Sequence, residues 1–180
     1  QGGFVGGSSA NENWTNNKSD LNVAAGATFS GVEANVRVDA LTGGGTISSG
    51  YGGAGYQRFT FGVDNGSGTF DGLLTNGSAA GNYVKEGTGT QVLTGANTYT
   101  GSTTVQGGTL VYQNTYASPS HSIAANAVLE LNVAGGTREM ASTSFSGAGT
   151  LRKTGSGMAR WPNTAATFAL GAGSLIDVQG

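Results

Sequence analysis

Cysteine is absent, histidine occurs once and proline twice in a chain of 180 residues. Without cysteine there is no disulfide framework and no thiolate to act as ligand or nucleophile. One histidine and no cysteine exclude the usual zinc sites, which need several such ligands. The missing cysteine leaves the compartment open, because exported chains that cross an envelope unfolded also dispense with thiols. Charge is scarce as well. Charged residues make up 10% of the chain, 8 basic against 10 acidic, for a net charge of −2. That is too little charge, with too many apolar residues, for a disordered chain. The basic residues are scattered and form no patch that neutralises several phosphates, so nucleic acid is excluded as a partner. No apolar run approaches the roughly 18 residues of a membrane helix, so this segment does not insert in a membrane. No signal peptide is visible in residues 1–9, and the chain reads as mature or as part of something larger.

Catalytic constellations are missing too. The ten acidic residues stand singly, with no Asp-Asp or Asp-x-Asp pair. The carboxylate cluster that polysaccharide lyases and hydrolases place on one face is therefore not present. His121 sits in a Ser/Pro-rich stretch without a nucleophile-elbow motif. The run DNGSGTFD, between Asp64 and Asp71, lacks the dense carboxylates of a calcium loop and reads as a plain turn. The expectation is a protein that is not an enzyme and has no catalytic residue, metal or cofactor.

What the chain does have is glycine, 34 of them, together with much Thr, Ser and Asn. Residues 85–112, KEGTGTQVLTGANTYTGSTTVQGGTLVY, organise the rest. They alternate β-formers with glycine corners and have no helical period. Residues 91–94, 103–106 and 109–112 read as strands. Gly87, Gly89, Gly95, Gly101, Gly107 and Gly108 mark the turns between them. Strands this short and turns this regular suit a solenoid. Neutral hydroxyl and amide side chains fit that geometry, because like residues stack at about 4.8 Å without charge repulsion.

Within this stretch a Lys-x-Gly-x-Gly opening at Lys85 leads to Gly-Ala-Asn-Thr-Tyr-Thr-Gly and a closing Gly-Gly-Thr-Leu at Leu110. The pattern resembles the passenger-associated repeat of bacterial autotransporters and related surface proteins. The resemblance implies an all-β fold, a right-handed parallel β-helix (β-solenoid), secreted or displayed outside the cell. It implies no activity, since the repeat is a scaffold in proteins of different roles.

The whole chain, 1–180, reads as a single β-helix domain of roughly seven coils, at about 20–29 residues each. Residues 1–18 form a cap or first coil, with Trp14 plugging the open end. Residues 21–29, 122–129 and 168–176 repeat one corner type; residues 41–47 and 145–151 repeat a second. Arg37 and Asp39 face outward, two apart, and satisfy each other or solvent. Residues 48–57, with Tyr51 and Tyr56 among glycines, and residues 113–121, with Tyr116, read as protruding loops. Residues 151–163 are a degraded second copy of the repeat opening, in which Lys153, Gly155 and Gly157 align with Lys85, Gly87 and Gly89. Trp161 then falls where Leu93 stands, and the rung must break or bend at Pro162.

Six tyrosines and two tryptophans exceed what a narrow core of Val, Leu and Ile needs. Sugar rings stack on exposed aromatic faces while polar neighbours bind their hydroxyls. Trp161, Arg160, Tyr116, Tyr112, Tyr51 and Tyr56 are therefore the candidate ligand-binding residues. They suit a non-catalytic module that binds an extended neutral polysaccharide, such as an accessory module of a polysaccharide-degrading enzyme. The alternative is a structural passenger or stalk segment of a surface adhesin or autotransporter, partnered by a host or cell-surface molecule. The first predicts aromatics converging on one face; the second predicts them scattered or buried.

Overall fold

A computed structural model describes residues 3–5, 13–31, 33–52, 55–161 and 166–180. Among them every regular element is a strand, and every strand pair runs parallel. The strands stack as a β-solenoid of about seven turns with three walls. The first wall begins with Leu21–Asn22 and Leu41–Thr42. It continues through a Gly43–Phe70 bridge into a six-stranded sheet that ends at Leu175–Val178. The second wall runs from Gly3–Val5 and Thr28–Ser30 through Leu73–Asn76, thins to an Asn97–Tyr116 bridge and resumes at Thr137–Glu139 and Met158–Arg160. The third is a seven-stranded sheet from Val36–Arg37 to Thr167–Leu170.

Alternation puts one set of side chains inside. On the third wall the register stacks Val36, Phe59, Tyr83, Thr103, His121, Phe145 and Phe168 above one another. On the first wall it stacks Phe70, Leu93, Tyr112, Leu131, Lys153 and Val178. The interior is thus more aromatic and more polar than a plain aliphatic column. An aromatic chain starts at Trp14, half-buried and edge-on to Phe29 at 6.0 Å, and passes through Phe59 and Tyr83 to Tyr99. It resumes at Tyr112 and runs through Tyr116, His121 and Phe145 to Phe168.

Glycine at the corners has a steric cause. A Cβ on Gly72 would lie 1.9 Å from the Gly45 carbonyl oxygen, and one on Gly95 would lie 1.9 Å from that of Gly72. The corner backbone of one coil rests directly on the next, so no side chain fits between.

Buried polar side chains replace rungs that the backbone does not make. Gln91 reaches past Gly68 to the main chain of Leu41, accepting from its N–H and donating to its C=O, both at 3.0 Å. Asn97 accepts the Leu74 N–H at 3.0 Å. Lys85 points inward, and its ammonium donates to the carbonyls of Glu86 at 2.5 Å, Gly87 at 3.2 Å and Gly107 at 3.3 Å, tying two coils together. Burial pulls its pKa down to about 8, so at neutral pH it is still mostly an ammonium with three N–H groups for those three carbonyls.

Several local expectations change. Arg37 does not pair with Asp39. It forms a two-pronged bridge to Glu86 at 3.0 and 2.7 Å, while Asp39, nearly buried, accepts the N–H groups of Asp64 and Gly66. Residues 113–121 do not protrude. Tyr116 bridges Asn97, Ser118 and His121 are buried, and the segment supplies the second wall of its coil. Lys153 repeats the Lys85 corner but at a different edge of the prism. Lys85 closes a third-wall strand, whereas Lys153 lies in the first wall, donating to Gly155 O. Pro162 lies outside the described residues.

Candidate functional site: the open C-terminal face

The six candidate ligand residues do not share one exposed face: Tyr112 and Tyr116 adjoin in the interior with Trp161 beside Tyr116, and Tyr51 and Tyr56 pair elsewhere. Tyr112 and Tyr116 are core residues, 0% and 3% exposed, which corrects the expectation that they present ring faces to solvent. Tyr116 is held by ring contacts to Tyr112 and His121; for Tyr112 the reason is hydrogen bonding in the interior. The Tyr112 hydroxyl meets the Tyr99 hydroxyl at 2.5 Å, and Tyr99 meets Thr103 Oγ1 at 2.6 Å. Ser118 extends the network, 3.1 Å from Thr103 and 2.8 Å from Gly101 O. A tyrosine satisfied this way belongs inside a coil as much as a phenylalanine does. Burial drives the Tyr99 phenol up to about 12 and those of Tyr83, Tyr112 and Tyr116 upward too, so all four stay neutral.

Tyr51 and Tyr56 are half-buried near the other end of the stack, linked by a Tyr51 N–H to Tyr56 O bond of 2.9 Å. The Tyr51 hydroxyl donates to the Glu33 carboxylate, which raises its pKa. Arg160 is exposed and pairs with Glu139 at 3.2 Å. Trp161 is half-buried, edge-on to Phe145 at 5.9 Å and to Phe168 at 5.6 Å. Its indole N–H lies beside the Tyr116 hydroxyl without reaching hydrogen-bond geometry.

Trp161 does help to line a real feature, the last coil. The large apolar side chains exposed among the described residues all belong to it: Met158, Phe168 at 46%, Leu175, Ile176 at 55% and Val178 at 72%. Three of them sit at interior positions. Phe168 stands on Phe145, Ile176 on Leu151 and Val178 on Lys153, yet no described residue closes over them. Between them lies a hollow of about 490 Å³ walled by Trp161, Phe168, Ile176 and Val178, with Lys153 and Met158 at its sides. Among the described residues the strands Thr167–Leu170 and Leu175–Val178 are paired on one edge only.

Outside, the first wall carries Glu130, Arg152 and Asp177 in one vertical line, with Arg152 2.9 Å from Asp177 and 4.0 Å from Glu130. Alternating signs let this column stack where like charges would repel. No sequence signal marks the apolar face as special. Its residues read as core because they occupy core positions, and their lack of cover is a property of the stack.

With this geometry in hand, residues 84–111 match the passenger-associated-transport-repeat. The matched segment supplies the inward Lys85, the Gln91 and Asn97 rung substitutes and the Tyr99 hydroxyl of the core network. Comparison with curated proteins and with solved structures finds no match.

Proposed function

We propose that the chain is a structural passenger segment of an autotransporter-type surface protein, a length of stalk held outside the cell that binds no substrate and catalyses no reaction. One observation carries this reading. The interior columns run the length of the stack and reach the C-terminal face still pointing inward and uncovered. Such a face is shaped to receive a further turn of parallel β-structure. Each coil of a solenoid is stable through its neighbours, so an uncovered end is the natural joint of a longer rod. The transport repeat in the middle of the stack supports an extracellular or surface-exposed setting. The polysaccharide reading loses its platform, because the rings it relied on fill the core or stand apart.

The test extends the rod. One further coil, copied from residues 133–154, is fused after Gly180. The fusion is expected to raise the urea midpoint and remove binding of a hydrophobic dye. The same coil carrying Phe145→Asp and Leu151→Asp in the copied segment should do neither. Affinity electrophoresis through xylan, glucan and mannan should show no retardation of the parent chain. Retardation by any of these polymers, or an apolar extension that leaves stability unchanged, would contradict the stalk reading.

A further inference from the structure

The histidine of this chain is a core residue. His121 is 0% exposed, its ring stacked on Phe145 at 5.3 Å and 26°. Tyr112 approaches edge-on at 5.8 Å from the first wall, and Tyr116 does so at 4.6 Å from the second. Its own wall places Thr103 below and Phe145 above. Nδ1 shares a hydrogen bond of 2.9 Å with Thr143 Oγ1, and Nε2 has no partner. The titratable groups facing it are the phenols of Tyr112 and Tyr116, both held neutral by burial. No carboxylate acts on the ring. Among the described residues every element packed against His121 thus presents an aromatic face or a hydroxyl, and none presents a charge that could balance an imidazolium.

We propose that His121 is an acid latch: one proton on its ring opens the coils around it, while the coils that precede them stay closed. The neutral ring fits an aromatic stack, whereas a charged one there has a single hydroxyl and no counter-ion. Opening lets the imidazolium reach water and at the same time uncovers Tyr112, Tyr116 and Phe145. The response is confined to one region because solenoid coils contact only their neighbours and the chain has one histidine. The device is independent of the stalk reading.

Burial lowers the His121 pKa from its usual 6.5 to about 3. The unfolded or opened chain therefore binds the proton over that whole interval, and the closed coil does not. The stabilisation by neutral His121 is complete above pH 6.5 and is lost progressively as pH falls toward 3. One proton of linkage raises the open population about tenfold per pH unit in that window.

The experiment is amide hydrogen exchange on the full chain between pH 7 and 4, corrected for intrinsic rates. Opening of Ser120–Ile123 and Ser144–Gly147 should rise about tenfold per unit, and Arg58–Phe61 should stay flat. His121→Phe should remove the slope. Where that variant does not fold, His121→Gln, which keeps a polar contact for Thr143, should also remove it. In the native chain the imidazole carbon-bound proton signal should keep its neutral shift at pH 5. Equal slopes along the whole chain, a slope that survives in the folded variant, or an imidazole that titrates near 6.5 in the closed coil would each overturn the latch.

Discussion

Gly72→Val is expected to abolish the folded stack. The position sits in a corner column with Gly45 beneath and Gly95 above. A Cβ there would lie 1.9 Å from the Gly45 carbonyl oxygen and 2.6 Å from the Phe70 ring. Both neighbours are fixed. The carbonyl belongs to the corner backbone of the coil below, and Phe70 is fully buried. Relief requires the two coils to part, and parted coils lose the rungs that hold Phe70 and Leu74 inside. The loss should exceed the roughly 1–3 kcal/mol typical of an overpacked core side chain and reach about 4 kcal/mol, because backbone rather than a side chain must give way. Urea denaturation followed by far-ultraviolet circular dichroism measures it. Gly135→Ala is the matched control: its Cβ meets nothing within 4 Å. It should change stability by less than about 0.5 kcal/mol, as surface substitutions do.

Phe145→Ala is the second large effect. Phe145 is 0% exposed and its ring touches His121, Trp161 and Phe168. Its removal leaves a cavity between two coils that cannot collapse, because the backbone rungs fix their spacing. The cost should be about 3–5 kcal/mol. Phe168→Ala removes the same side chain from the same column one coil later, where the ring is 46% exposed. It should cost about 1 kcal/mol, since much of its surface already faces water. In the chain extended by one apolar coil the contrast should shrink, with Phe168→Ala approaching the cost of Phe145→Ala. Equal costs in the parent chain would mean that the C-terminal face is already covered.

The fold was legible because its cause is local. Glycine corners, short Thr/Val/Leu strands and the transport repeat all speak of parallel coils, and the corner motifs stack as their repetition suggests. Residues 41–47 rest on residues 21–29, where Gly43, with φ +95°, packs on Val23 O. Residues 145–151 rest on residues 122–129 in the same way, Gly147 on Ile123 O. What the sequence did not reveal is which edge of the prism each motif occupies. The first pair of corners joins the first wall to the second, and the later pair joins the third wall to the first. The Lys85 and Lys153 corners are displaced likewise. Three similar walls make the corner motifs interchangeable, and linear alignment cannot count walls.

The site was less legible, for a different reason. A tyrosine or a histidine in a polar, glycine-rich stretch looks exposed when only its neighbours in sequence are considered. Tyr112 is buried because Tyr99 and Thr103 present hydroxyls to it across the interior, and His121 because Thr143 does so from the next coil. Those partners are set by coil length, from Leu93 to Tyr112 in one turn and from Gly43 to Phe70 in another. Such variation defeats a fixed repeat. Phe168, Ile176 and Val178 illustrate the converse. Their sequence pattern is that of core, and only the stack shows how far they are exposed.

The central claim, parallel stacking of successive coils in this register, is open to one direct measurement. The chain has no native cysteine, so introduced pairs report without background. Thr104→Cys with Ser122→Cys places two thiols on outward, in-register positions of neighbouring third-wall strands. Strand spacing of about 4.8 Å lies within disulfide reach. Thr104→Cys with Val111→Cys pairs the positions that a hairpin around residues 107–108 would bring together. Mild oxidation followed by mass analysis should show rapid, near-complete closure of the first pair and little of the second. Rapid closure of the hairpin pair, with the coil pair left reduced, would contradict the fold on which every other statement rests.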